Sequence, residues 1–124
     1  MKKILALTFF VSVLITGCKK NQAGGNSEIQ GTVVHHSSPV ANANIYIKFN
    51  ATEFPGTDLT VYDTQLKAGS DGTFSFKCYK GNYFLYGVGT EVIAGKLVQV
   101  DGGAPVTIRA KEVVEAKIPV SEVH

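Results

Sequence analysis

Short runs in which apolar and polar residues alternate, separated by turn signals, recur from Ile29 to Val120. Successive side chains of a β-strand point to opposite faces of a sheet, so this period of two predicts half-buried strands. Glycine-containing turn signals separate the runs: Ser70-Asp71-Gly72, Lys80-Gly81-Asn82 and Asp101-Gly102-Gly103. Many short strands between such turns predict an all-β fold, an antiparallel β-sandwich of Greek-key type.

The predicted core follows from this alternation. In the fourth and fifth strands, the apolar positions that fall on one face are Phe74, Phe76, Cys78, Tyr83 and Leu85. A weaker alternation over residues 60–68 predicts a third strand with one face formed by Tyr62, Thr64 and Leu66. Gly87 and Gly89 fall inside the fifth strand, where glycine indicates a bulge or a close approach of another segment.

Residues 111–117 allow two interpretations. Lys111 and Glu115 have the i,i+4 spacing of an ion pair on a helix. Two adjacent valines and the nearby Pro119 favour a final strand instead, because valine has high β-propensity and proline is excluded from helix interiors.

The first 17 residues resemble a lipoprotein signal peptide. Met1-Lys2-Lys3 precedes a largely apolar run of twelve residues, Ile4–Ile15, which is shorter than the roughly 20 residues of a transmembrane helix. Leu14-Ile15-Thr16-Gly17-Cys18 then resembles the lipobox of bacterial lipoproteins. The resemblance implies that Cys18 becomes the lipidated first residue of the mature chain, anchored in a membrane by several acyl chains.

Residues 18–28 are expected to form the lipidated cysteine and a flexible tether, with the folded domain at 29–124. The segment has no large apolar residue and contains Gly24-Gly25, a composition typical of linkers. Lys19-Lys20-Asn21-Gln22 lacks aspartate, which resembles the sorting signal of lipoproteins sent to the outer membrane. We therefore expect a periplasm-facing domain on that membrane.

The charge of the chain argues against nucleic acid as a partner. From Ala23 onward eight Lys and Arg residues face ten Asp and Glu residues, a net charge of −2. Proteins that bind nucleic acid present a basic surface to the phosphates.

Four motifs in order resemble the carboxypeptidase regulatory-like domain. They are Gln30–Val33, Pro39–Ile47, Ser70–Phe76 and Lys80–Leu85. The resemblance implies a seven- or eight-stranded sandwich shaped like transthyretin (prealbumin), in a domain type that is not catalytic. At the matched positions, Asp71, Gly72 and Gly81 form structural turns, and Tyr83 resembles a tyrosine corner whose hydroxyl binds backbone.

Candidate catalytic and metal-binding residues are few, and we expect no enzyme activity, cofactor or metal site. Cys78 is left without a disulfide partner and falls on an apolar face, which predicts a buried, unreactive thiol. Adjacent residues of a strand point to opposite faces, so His35 and His36 are expected to be poor joint ligands on a solvent-facing loop.

The segment Asn50–Leu59 is the candidate binding loop, because loops at the end of a sandwich commonly carry binding functions. Its candidate site residues are Glu53, Phe54, Pro55 and Asp58. Phe54 beside two acidic residues is suited to stack on a sugar or to grip a protein. The alternative is that the Phe54 ring folds back and plugs the open end of the core.

Together these features predict a membrane-anchored, non-catalytic cell-envelope lipoprotein that acts as a binding or structural module. The second hypothesis is a carbohydrate- or peptide-binding accessory to an outer-membrane transporter. A small hydrolase is the least favoured hypothesis, because the sequence contains no Gly-x-Ser-x-Gly nucleophile motif.

Overall fold

The structure, a computed structural model, describes residues 19–123. The predicted signal peptide, Cys18 and His124 lie outside the described residues. Apart from one short 3-10 turn, Leu59–Val61, the regular elements of the described range are strands. They are β1 (Ala23–His35), β2 (Ser38–Pro39), β3 (Asn44–Phe49), β4 (Thr64–Lys67), β5 (Thr73–Cys78), β6 (Gly81–Ile93), β7 (Lys96–Ile108), β8 (Val113–Pro119) and β9 (Ser121–Glu122). Between residues 19 and 123, no helix is long and apolar enough to span a bilayer.

The strands form two sheets that pack face to face, which confirms the all-β sandwich. In the first sheet β1 is central, with β5 antiparallel on one edge and β8 parallel on the other, and β2 pairs with the end of β1. The second sheet is antiparallel throughout, in the order β4-β3-β6-β7-β9. The parallel β1–β8 pair departs from the antiparallel prediction. It arises because the chain crosses from the second sheet to the first between β7 and β8, so no hairpin sets the direction of β8.

The core lies between the two sheets and follows the predicted alternation. Phe74, Phe76, Tyr83 and Leu85 all belong to it. Each sheet contributes an inward row, and the residues that are completely buried include Ile29, Val33, Ile45, Ile47, Cys78, Val100 and Ile118. The Tyr83 ring packs edge-on against Phe49 and Phe76, with centroids 5.8 and 6.0 Å away. These edge-to-face contacts are the favourable arrangement for aromatic pairs.

The Tyr83 hydroxyl binds backbone at the edge of the core. Its single proton is shared between the Tyr79 carbonyl oxygen at 2.7 Å and the Gln22 carbonyl oxygen at 3.1 Å, the geometry expected of a tyrosine corner. Burial raises the pKa of this hydroxyl well above its usual range, so it remains a donor at any physiological pH. The contact joins the start of β6 to the point at which the chain enters the domain.

Of the other predicted structural residues, Asp71 and Gly72 form the tight turn before β5, and Gly81 is the first residue of β6. Gly72 has a φ of 79°, and the Asp71 carboxylate accepts hydrogen bonds from the Thr73 amide and hydroxyl, which lowers the pKa of Asp71. Gly81 has a φ of 151°, and a Cβ there would collide with the Asn21 side chain. Only glycine combines this backbone conformation with such a close neighbour.

The tether prediction is wrong for most of residues 18–28. The Asn21 amide donates to the Lys80 carbonyl at 2.9 Å, and β1 begins at Ala23. Ser27 is buried and its hydroxyl donates to the Arg109 carbonyl at 2.6 Å. Polar and glycine residues suggested a linker, but their backbone pairs with the edge of β5 through a bulged register. Backbone pairing of this kind leaves no apolar signal in the sequence.

The predicted turn at Asp101-Gly102-Gly103 is also wrong, because β7 runs through it without a break. The chain reverses instead at Ala94-Gly95, with φ values of 52° and 79°. Gly102 and Gly103 serve close packing: a Cβ on the first would collide with the Pro119 carbonyl, and one on the second with the Phe84 ring.

Other expectations for single strands had mixed outcomes. Residues 113–119 are a strand, as predicted. Gly89 permits the close approach of Val40, since a Cβ on Gly89 would lie 2.9 Å from Val40 Cγ1.

The strand predicted from the alternation over residues 60–68 is only partly right, because β4 begins at Thr64. Leu66 packs against the core, whereas Tyr62 precedes the strand and lies outside it.

We expect Phe76→Ala to lower the free energy of unfolding by about 3–5 kcal/mol, because it leaves a cavity between the sheets. Chemical denaturation of the wild type and the variant measures this loss. Lys77→Ala is the matched control, since its exposed neighbouring side chain should contribute within about 0.5 kcal/mol. A loss below about 1 kcal/mol for Phe76→Ala would show that this ring does not support the core.

Candidate functional site

The outer face of the second sheet carries an aromatic cluster, here called the aromatic face. Along β6 the odd-numbered Tyr83 and Leu85 point into the core, so Phe84 and Tyr86 point outward. The loop between β3 and β4 covers both side chains, leaving them only 6% and 4% exposed. The aromatic face consists of Tyr46, Phe54, Tyr62, Phe84 and Tyr86.

Strand register assembles one side of the aromatic face. Tyr46 of β3 lies directly opposite Tyr86 of β6, with ring centroids 6.4 Å apart. Tyr62 stacks on Tyr86 at 5.7 Å and an interplanar angle of 16°, and its hydroxyl donates to the Gly56 carbonyl at 2.8 Å. Burial raises the pKa of the Tyr62 hydroxyl. The stacked pair therefore ties the loop to the sheet.

Acidic side chains hold the ends of the loop. The Asp63 carboxylate accepts from the Phe49 amide at 2.7 Å and lies 3.7 Å from the Lys48 ammonium. Asp58 caps the 3-10 turn by accepting from the amide and hydroxyl of Thr60, and these bonds lower the pKa of Asp58. Asp58, proposed from the sequence as a binding residue, is therefore engaged in shaping the loop.

Phe54 occupies the centre of the loop and packs against the outside of the sheet. Its ring centroid lies 5.2 Å from that of Tyr86 and 5.9 Å from that of Phe84, yet 51% of the residue is exposed. The core-plug alternative is wrong, because Phe54 does not enter the space between the sheets. Of the other candidates, Glu53 is exposed and Pro55 is half-buried.

Phe54 forms one wall of a groove, the aromatic groove, with a volume of about 270 Å³. Its lining residues are Phe54, Thr57, Phe84, Tyr86, Asp101, Gly102 and Gly103. The Tyr86 hydroxyl donates to one oxygen of the Asp101 carboxylate. Burial and the Asp101 charge together raise the pKa of Tyr86. The second Asp101 oxygen can therefore accept from a ligand while Tyr86 holds the carboxylate in place.

Of the residues that line the groove, the sequence predicts only Phe54 as a binding residue. Phe84, Tyr86 and Asp101 do not stand out in the sequence, because the first two alternate with the inward positions of β6 and Asp101 falls in an apparent turn. A signal was present. Tyr83-Phe84-Leu85-Tyr86 is an unbroken apolar run, which is typical of a strand that is covered on both faces.

Two predictions about potentially reactive side chains had different outcomes. Cys78 is fully buried, as predicted, and burial raises the pKa of its thiol. The prediction for the histidines is wrong: His35 is buried, and its ring centroid lies 4.1 Å from that of His36. His36 has a φ of 51°, which ends the strand alternation that would have separated the two rings.

No protein-family model and no curated protein sequence matches the chain. Among solved structures, the fold is similar to a protein from Pseudomonas aeruginosa described as a "putative carbohydrate binding protein". The superposition has a TM-score of 0.55 and 14% sequence identity, and it covers 80% of this chain and 91% of the other. At this identity the likeness establishes the β-sandwich fold.

Two substitutions on the aromatic face should differ in cost. Tyr86→Ala removes a buried ring and should lower the free energy of unfolding by about 3–5 kcal/mol. Phe54→Ala removes a half-exposed ring with two aromatic contacts and should cost about 1 kcal/mol. Chemical denaturation of both variants checks this difference. Equal losses would mean that Phe54 is a structural residue and that the groove is part of the packing.

Proposed function

We propose that this chain is a non-catalytic, carbohydrate-binding lipoprotein of the bacterial outer membrane, with a domain of the carboxypeptidase regulatory-like type that its motifs resemble. The observation that carries the proposal is the aromatic groove. The half-exposed Phe54 ring and the hydrogen-bonded Asp101 carboxylate line the same groove. Gly102 and Gly103, which have no side chains, also line it.

Each part of the groove matches a part of a sugar ring. The C–H face of a pyranose is apolar and packs on an aromatic ring, here that of Phe54. The ring hydroxyls need polar partners, and the Asp101 carboxylate and the Thr57 hydroxyl can provide them. The two glycines allow the sugar to approach the β7 backbone closely. A few polar groups on an aromatic lining are typical of a small-molecule site.

A single sugar in a groove of this size should bind weakly, with a Kd of about 1 mM. The similar Pseudomonas aeruginosa structure, described as a "putative carbohydrate binding protein", supports the proposal of a binding role for this fold. The buried Cys78 thiol with its raised pKa is unsuited to nucleophilic catalysis, which supports a non-catalytic function.

The membrane anchor is proposed because residues 14–18 resemble a lipobox. The surface at which the chain enters the domain is basic, which is compatible with such an anchor. Two shallow hollows flank the point at which the chain enters the domain, and both include Lys80. One is also lined by Lys19 and Lys111, and the other by Lys20 and Arg109. Such a basic end favours contact with anionic headgroups, by about 1 kcal/mol per cation near the surface.

The groove would then face the periplasm a short distance above the membrane. Only Lys19 and Lys20 separate Cys18 from Asn21, whose amide is already bonded to the domain. Tyr86 lies five residues beyond Gly81 along β6, or about 17 Å at roughly 3.3 Å per residue. An anchored domain would therefore hold its groove close to the inner surface of the outer membrane.

Carbohydrate binding can be tested by titrating the chain from Lys19 onward with a panel of neutral and acidic oligosaccharides in a calorimeter. We expect millimolar or tighter binding of at least one glycan class, lost in Phe54→Ala and weakened at least tenfold in Asp101→Asn. Leu97→Ala is the matched control, because it removes a 73% exposed apolar side chain from the same strand as Asp101. Equal affinity of wild type and Phe54→Ala would overturn the assignment of the groove.

The anchor is tested independently with Cys18→Ser in the native host. Without the lipid, the variant should leave the membrane fraction or remain unprocessed, because the acyl chains supply the membrane affinity. Protease added to intact cells should leave the wild-type domain uncut and should reach it after outer-membrane permeabilisation. Digestion on intact cells would instead place the domain on the cell surface, and unchanged fractionation of Cys18→Ser would exclude the lipid anchor.

A further inference from the structure

A second cluster of polar side chains lies at the opposite end of the sandwich from the chain entry. It gathers where β1 ends at His35, where the next residue turns the chain, and where β9 pairs with β7. Glu91, ten residues beyond Gly81 along β6, belongs to the same end, about 33 Å from the chain entry at roughly 3.3 Å per residue. None of these residues contributes to the aromatic groove.

His35 is a buried side chain with one ring nitrogen left free. The residue is 6% exposed, and its Nδ1 lies 2.6 Å from Glu91 Oε1. Its Nε2 is buried and has no hydrogen-bond partner among the described residues. Buried polar atoms in folded proteins are nearly always paired, so an unpaired ring nitrogen calls for an explanation.

Two further potential ligands lie close to the His35 ring. His36 follows His35 directly, and its φ of 51° brings the two rings to a centroid distance of 4.1 Å. Glu122 is held by β9, where it pairs with Val100 of β7. One potential ligand atom from each of His35, His36 and Glu122 lies within 4.8 Å of the other two.

We propose that His35, His36 and Glu122 bind a divalent transition-metal ion of the zinc class. Two imidazoles and a carboxylate are the ligands that such ions take, whereas calcium and magnesium prefer oxygen ligands alone. The bonds to zinc are about 2.0–2.1 Å long, so the three ligand atoms must close to roughly 3.3 Å from one another. The exposed His36 side chain can make much of this movement by rotation.

Glu91 acts as a positioning residue in this site. By accepting a hydrogen bond from Nδ1–H, its carboxylate selects the His35 tautomer in which Nε2 carries the lone pair. A carboxylate behind a ligating histidine is a recurrent feature of zinc sites, and its loss typically weakens metal binding by about 10–100-fold. A metal site with Glu91 behind His35 thus explains why one nitrogen of the His35 ring is hydrogen-bonded and the other has no partner among the described residues.

A bound ion would join the two sheets at the end of the sandwich opposite the chain entry. His35 belongs to β1 of the first sheet, and Glu122 to β9 of the second. The strand β9 has only two residues, so a metal bond at Glu122 would also secure the C-terminal end of the chain. A ligand that binds only the folded state raises the melting temperature with its concentration.

The test is calorimetric and thermal titration of the full-length protein in detergent, without an oligohistidine tag, using zinc chloride. We expect about one zinc ion per chain and a melting temperature that rises by several degrees, with no rise in calcium chloride. Cobalt chloride should produce visible d–d bands of a low-coordinate site. His36→Ala and Glu122→Gln should each weaken binding at least tenfold, and Glu91→Gln should weaken it about 10–100-fold.

Controls separate this site from others on the chain. Glu115→Gln removes an exposed carboxylate elsewhere and should bind zinc as the wild type does. Phe54→Ala should also bind zinc as the wild type does, whatever its effect on sugar binding.

The absence of zinc binding to the wild type would overturn the proposal. So would binding that survives His36→Ala and Glu122→Gln, or that is abolished by His124→Ala alone. His36 and Glu122 are preferred as test positions because a His35 variant alters the packing of a buried side chain.

Discussion

The Tyr83 side chain links the two sheets, the chain entry and the central strand of the second sheet. Its ring lies in the core against Phe49 and Phe76, and its hydroxyl bonds the backbone of Tyr79 and Gln22. A buried hydroxyl left without these acceptors would cost about 1–3 kcal/mol. The contact therefore sets where β6 begins and holds the N-terminal segment against it. The rest of the second sheet takes its position from that strand.

Strand β6 then places both candidate sites. It has 13 residues, which pair with β7 along the whole strand and with β3 from Tyr83 to Val88. Phe84 and Tyr86 point outward near its start and support the aromatic groove, while Glu91 near its other end holds His35. The two sites share a strand but no side chain, so the proposals of sugar and metal binding can fail separately.

The predicted fold and the predicted site fared differently because they rest on different kinds of signal. The alternation of Phe74, Phe76 and Cys78 depends only on local strand geometry, and the structure confirms it. The glycines at 102 and 103 were interpreted as a turn, because their true neighbours, Pro119 and Phe84, are distant in sequence. The composition of the loop around Phe54 marks it as a candidate binding loop, but the surface on which the loop packs comes from β6, more than 25 residues away in the sequence.

The alternation of residues and the glycine positions are sufficient to predict the all-β sandwich, the inward rows of the core, the turn at Gly72, the glycine at the start of β6 and the buried state of Cys78. Each depends on short-range patterns or on the conformational freedom of glycine. Folding alone brings Phe54 and Asp101 to the same groove and sets His35 against Glu91 and His36. These contacts join residues from different strands and loops, so their geometry depends on register and on backbone turns such as the one at His36. No local pattern encodes that information.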